Sequence, residues 1–171
     1  MRNLTKYPIF LLIIGWSTVH GIDKPNNQQP LQIDANSIQH NDARAVTKFI
    51  GNVVLIRGDL TLKGDSLILN QTEDGLSFGK VKGSPAVFQT RRTVEDEWVK
   101  GQASELDYDE RNSTFLLKGN ARLIRLENGK IKEEVSGDKL SYNSDSEVYK
   151  AMTEPGETRT RMTVIPKPSY E

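Results

Sequence analysis

The chain has 171 residues, with 23 Lys and Arg against 23 Asp and Glu, no cysteine and two histidines. A net charge of zero excludes the basic footprint of a nucleic-acid binder. Without cysteine, and with only His40 beyond the first 21 residues, a zinc site is excluded too. Hydrophobic residues make up 36%, which disfavours a thick α/β core and suits thin β-structure with one wet face.

Residues 1–21 read as a targeting segment. Arg2 and Lys6 precede an apolar run over residues 7–16, and Val19-His20-Gly21 sits at the cleavage position, with Val and Gly where small residues are preferred. That run is shorter than the roughly 20 residues a membrane-spanning helix needs. The expectation is a cleaved signal peptide and an exported chain, with a retained anchor as the alternative. Cleavage would leave 150 residues, one domain by size and large enough to bury a core without disulfides. Residues 22–30 (IDKPNNQQP) read as a linker, residues 31–165 as the domain and residues 166–171 as a short tail.

Leu31, Ile33 and Ala35 alternate with polar residues, the mark of a half-buried strand, and Asn41-Asp42 signals a turn. Residues 51–70 (GNVVLIRGDLTLKGDSLILN) hold three apolar runs separated by Gly58-Asp59 and Gly64-Asp65, read as antiparallel strands with tight turns. The pattern returns. Residues 119–125 (GNARLIR) repeat residues 51–57 (GNVVLIR) at an offset of 68, and residues 137–143 echo residues 64–70 at an offset of 73. Upstream, Ala35, Ile38, His40 and Phe49 fall opposite Ala103, Leu106, Tyr108 and Leu117, so the chain is a repeated β-architecture.

The two copies also fix which residues point inward. Arg122 occupies the position of Val54, so that position faces water and Val53/Ala121 and Leu55/Leu123 face inward. The same reasoning places Leu60, Leu62, Phe49/Leu117, Leu67/Leu140 and Leu69/Tyr142 inside, with Phe115 opposite Thr47. Between the copies, Glu73-Asp74-Gly75 is a turn, Pro85 begins a strand and residues 91–97 form a charged loop. Asn128-Gly129 is a hairpin turn, and residues 158–165 form a last strand before Pro166 and Pro168. No segment after residue 21 carries helical periodicity.

Chemistry is sought and not found. His40 interchanges with Tyr108, which points to a structural role. Asp107, Asp109 and Glu110 could be a carboxylate pair or a calcium site, but residues 109–112 match the turn at Asn41-Asp42. Ser66 and Ser104 have no histidine base in the pattern. No catalytic residue, metal or cofactor is expected. The inward set could fill a closed sandwich or floor an open trough.

Residues 31–36 (LQIDAN), 51–58 (GNVVLIRG), 118–125 (KGNARLIR), 83–88 (GSPAVF), 101–108 (GQASELDY) and 137–142 (GDKLSY), in this order and spacing, resemble the LptA/OstA-like lipopolysaccharide-transport proteins. The resemblance implies an all-β fold, a twisted open antiparallel β-jellyroll of about sixteen strands, a count compatible with the usual short strand length. It implies a periplasmic carrier that passes lipopolysaccharide from inner to outer membrane, holding the lipid A acyl chains in an apolar groove. Its partners would be LptC-like and LptD-like proteins and, by head-to-tail self-association, further copies of itself. Leu31, Ile33, Phe88 and Tyr108 match groove residues of the family, and the inward Phe49, Leu55, Phe115 and Leu117 complete the expected lipid-binding set. The alternatives are an anchored LptC-like subunit, a non-lipid structural β-protein, and a glycan hydrolase resting on the three acids.

Overall fold

The computed structural model describes residues 29–72, 77–92, 96–153, 156 and 159–166. The expected signal peptide, most of the expected linker, the expected turn at Glu73-Asp74-Gly75 and the tail beyond Pro166 lie outside the described residues. Ten strands form one antiparallel sheet: β1 (Gln32–Asp34), β2 (Ser37–Asn41), β3 (Val46–Arg57), β4 (Leu60–Gln71), β5 (Ser77–Arg91), β6 (Glu97–Asp109), β7 (Thr114–Glu127), β8 (Lys130–Asn143), β9 (Val148–Met152) and β10 (Arg161–Val164). The order is β1-β3-β4-β5-β6-β7-β8-β10, with β2 also on β3 and β9 also on β8. The two ends do not pair, so the sheet is open. The helical content of the described residues is one 3-10 turn, Asp42–Arg44, capped by the Asn41 side chain.

Each ladder between the six long strands is interrupted near its middle, at Ile50/Val53, Lys63/Ser66, Lys82/Ala86, Gln102/Glu105 and Lys118/Ala121. These irregularities align across the sheet as a spine. Gly51-Asn52 and Gly119-Asn120 occupy it in both copies, with φ of 80° and 48° in the first pair and 75° and 51° in the second. Left-handed backbone of that kind suits Gly and Asn and inserts an extra residue into a strand. The bulges also reset the side-chain parity. In β4 the buried positions change from Leu60 and Leu62 to Leu67 and Leu69, and in β6 from Val99 and Ala103 to Leu106. The apolar set thereby stays on one face across the bend.

The Gly64-Asp65 turn of the sequence reading is therefore corrected: these residues lie inside β4, at its bulge, and the chain bends without reversing. Pro85 likewise sits inside β5 rather than starting a strand. Gly58-Asp59 and Asn128-Gly129 do reverse the chain, the latter with φ of 52° and 73°, as a type I′ hairpin requires. Divided at the spine, the six long strands give twelve segments, and with the four short strands they make the sixteen expected.

The spine folds the sheet into two leaves. Leaf one carries β1, β10 and residues 53–57, 60–63, 86–91, 97–103, 121–127 and 130–137; leaf two carries β2, β9 and residues 46–50, 66–71, 77–82, 105–109, 114–118 and 139–143. The leaves face each other, since Phe88 of leaf one stacks on Phe115 of leaf two with ring centroids 4.2 Å apart. The core lies between them as one cluster of Leu, Val, Ala, Phe and Tyr. Opposite the spine, the described turns, residues 58–59 and 128–129 on leaf one and 110–113 and 144–147 on leaf two, form a pair of lips.

Candidate functional site

The expected groove residues all line the space between the leaves, at different depths. Phe88, Phe115 and Leu117 are 0%, 1% and 0% exposed, Phe49 and Leu55 are buried, and Leu31, Ile33 and Tyr108 are half-buried. At the centre, Phe115 stacks on Phe88 and on Tyr108, the latter at 4.6 Å, with Tyr142 at 6.1 Å from Phe88. Offset stacks like these add about 1 kcal/mol each beyond the area they bury. Gly101 makes the stack fit: a Cβ there would overlap the Phe88 ring and approach Leu117 Cδ2 to 2.9 Å. Phe49 stands apart from the stack, paired across the strands with Leu67.

The rings separate two small cavities. One, of about 10 Å³, is lined by Leu31, Leu55, Leu60, Leu62, Leu69 and Tyr108 together with Arg57, Ser77 and Gly79. The other, of about 30 Å³, lies among Val99, Leu123, Val135, Tyr142 and Tyr149 and is rimmed by Arg92, Glu133 and Glu147. Each is room for about one water.

The lips are charged. Arg57, at the end of β3 on leaf one, pairs with Glu110 in the turn after β6 on leaf two, and both side chains are at least nine-tenths buried. The second oxygen of Glu110 accepts from the Ser77 amide at 2.8 Å. Further along, Arg92 of leaf one pairs with Glu97 beside it and with Glu147 across the lip. Tyr149 of leaf two donates to Glu133 of leaf one. Backbone hydrogen bonds at the turns instead stay within one leaf, as with Ser144 N to Ser113 O and Asn128 N to Asp96 O. Among the described residues, it is side chains that clasp one lip to the other.

Burial, followed by the nearby Glu110 carboxylate, pushes the Tyr108 phenol up to about 12. Burial with Glu147 does the same for Tyr142, and burial with Glu133 for Tyr149, each to about 12. These phenols stay neutral at any physiological pH. The interior presents apolar surface, neutral hydroxyls and internally paired ions.

The three acids of the hydrolase alternative are not brought together. Asp107 meets Lys118 at 2.6 Å in a network with Lys80 and Glu105, and Asp109 caps its turn through Asn112 at 2.7 Å. Glu110 alone enters the space between the leaves. Sequence reasoning read Glu110 as a turn residue and overlooked Arg57, yet the signal was present. Arg57 shares its parity with Val53 and Leu55, and an inward arginine demands a buried acid.

Residues 32–148 match the family described as LptA/(LptD N-terminal domain) LPS transport protein. Among relatives, the lipopolysaccharide export system protein LptA of Escherichia coli K12 is 25% identical over 146 residues, 84% of this chain and 74% of that protein. LptH of Pseudomonas aeruginosa, also named a lipopolysaccharide export system protein, is 23% identical over 154 residues, 88% of this chain and 85% of that one. The crystal structure of LptH, described as the LptA-homologous periplasmic component of the lipopolysaccharide transport device, superposes with a TM-score of 0.73 at 22% identity, covering 84% of this chain and 99% of that one. The folded-over open sheet is the fold of that structure, and by its match over residues 32–148 the chain belongs to the LptA/LptD N-terminal domain family of lipopolysaccharide transport proteins.

Proposed function

We propose that this protein is a periplasmic carrier that holds the acyl chains of lipopolysaccharide between its two leaves and hands the lipid from an LptC-like donor to an LptD-like acceptor. The observation that carries this reading is the single apolar face running the length of the sheet, closed opposite the spine, among the described residues, by side chains. Exposing an acyl chain to water costs about 0.8 kcal/mol per CH₂, so a multi-chain lipid needs an apolar conduit to cross an aqueous space. Movement between equivalent parts of such a conduit is nearly neutral, and an energy source elsewhere supplies direction. The carrier does this without a catalytic residue. The cavities of about 10 and 30 Å³ are far smaller than an acyl chain, so loading parts the leaves at the lips.

The sheet edges suit a bridge built from several copies. β1 and β2 edge one end and β9 and β10 the other, and Ile38, Val148, Met162 and Val164 are 50% to 61% exposed along them. Pairing the last strands of one copy with the first of the next is a heterologous contact that propagates. Sedimentation should show assemblies growing with concentration, and a strict monomer at high micromolar concentration removes the bridge from the proposal.

The deciding experiment is photo-crosslinking in cells from positions 88 and 108, with the outward-facing Lys63 as control. Lipopolysaccharide adducts are expected at the first two and none at the third. Crosslinks from Phe88 and Tyr108 to protein alone would mean a permanently packed interior and a structural β-protein.

A further inference from the structure

The space between the leaves is not uniform along the sheet, because one ring crosses it. On leaf one the inward residues Leu55, Leu62, Phe88, Gly101, Leu123 and Val135 stand opposite one another from β3 to β8. On leaf two the corresponding row is Leu69, Gly79, Tyr108, Phe115 and Tyr142, from β4 to β8. Phe88 belongs to β5, yet its ring lies over Gly101 of β6, where a Cβ would stand 2.1 Å from Phe88 Cε1. From that notch it stacks on Phe115 of β7 at an interplanar angle of 7°. Among the described residues, the ring contacts between the leaves all run through Phe88. With centroids 4.2 Å apart the two faces are in van der Waals contact, and no acyl chain fits between them.

We propose that Phe88 is a hinged stop in the conduit. With its ring in the Gly101 notch the interior is two compartments, one toward β1 and one toward β10. An acyl chain passes from one to the other when the ring leaves the notch and gives up its stack. The inference rests on the carrier reading above and adds the residue at which passage is held.

Two features make Phe88 the ring that moves. Tyr108, Phe115 and Tyr142 are cross-strand neighbours in one row of leaf two and support one another, whereas Phe88 stands between Leu62 and the bare Gly101. Its side chain also carries no polar atom, so leaving the notch breaks no hydrogen bond. A hydrocarbon chain arriving in its place keeps the apolar surface covered, which offsets the cost of displacing it.

The test uses the purified full chain with a photo-crosslinking residue at position 31 or at position 162. Leu31 lines the cavity toward β1, and Met162 faces inward on β10 opposite Val135. Lipopolysaccharide is mixed in, and adducts at each position are followed in time to their own plateau. In the otherwise unaltered chain one position should reach its plateau about tenfold more slowly than the other, the effect of giving up two ring contacts. Phe88→Leu, which removes the ring and keeps an apolar side chain, should bring the two rates together. Gly101→Ala, which fills the notch and evicts the ring, should do the same. Equal rates in the unaltered chain, with adducts at both positions, overturn the stop and leave the carrier standing. A lag that Phe88→Leu retains, or an adduct that Phe88→Leu still confines to one position, also overturns it. No lipopolysaccharide adduct at either position removes the carrier reading and the stop with it.

Discussion

The spine and the lips both hold the two leaves together, and they do so with different chemistry. At the spine the chain itself passes from leaf to leaf six times, through bulges whose ladders resume on either side. At the lips, Arg57–Glu110, Arg92–Glu147 and Tyr149–Glu133 make the crossing. The spine cannot part without unfolding. Among the described residues the lips are joined by side-chain contacts such as these, which can be exchanged for water, and that asymmetry suits the proposed carrier.

The sharpest way to break this comparison is to remove one side of the buried clasp. Glu110→Ala leaves the Arg57 guanidinium without its carboxylate and the Ser77 amide without its acceptor. A loss of about 3–5 kcal/mol in denaturant unfolding is expected, since breaking a buried pair strands a charge. Replacing both partners, as Arg57→Met with Glu110→Leu, should recover the part of that loss due to the stranded charge and keep about 1–3 kcal/mol of it, because the Ser77 amide still lacks its acceptor. If the single variant costs nothing, the clasp does not hold the lips.

Next in size is a disturbance of the spine. A Cβ at Gly64 would stand 2.5 Å from Val81 Cγ1 and 2.7 Å from the Lys82 carbonyl oxygen, and the backbone oxygen cannot step aside. Gly64→Ala is expected to cost about 2 kcal/mol by overpacking. The readout that separates spine from lip is lipid loading. The clasp double variant should load faster than the original chain, whereas Gly64→Ala should lose stability without loading faster.

Much of the fold was legible because strand parity survives comparison of the two copies. Val53 with Ala121, and Leu67 with Leu140, all stand in the core. The bulges were less legible. Gly64-Asp65 looks locally like Gly58-Asp59, since both a bulge and a tight turn use small residues where the backbone bends. Only the pairing of β4 with β3 and β5 on both sides of Gly64 shows that the strand continues. The eight expected groove residues face one interior, but their depth could not be read from sequence. Phe88 and Leu55 have the same inward parity as Ile33, which stays half-exposed because β1 ends the sheet. The clasp was missed because Arg57 and Glu110 are 53 residues apart, and no local pattern couples them.

The smallest effect separates the charges on the outer face from those at the lips. Glu105 on β6 meets Lys80 at 3.1 Å, Lys118 at 3.2 Å and Lys82 at 3.4 Å. The hydrogen bond from Lys80, with those from Lys118 and Lys82, lowers its carboxyl from 4.5 to about 2. A carboxylate with a lowered folded-state pKa contributes stability that is complete above its unfolded value and is lost as pH falls through the folded one. The loss therefore belongs to the interval from about 4.5 down to about 2. Because the network lies at the solvent face, its worth is held to about 1 kcal/mol or less by screening. Unfolding free energies across that interval should fall more steeply for the original chain than for Glu105→Gln, and salt should shrink the difference. Equal slopes would mean that the outer network leaves leaf two no more stable, with the lips alone carrying the electrostatic contribution.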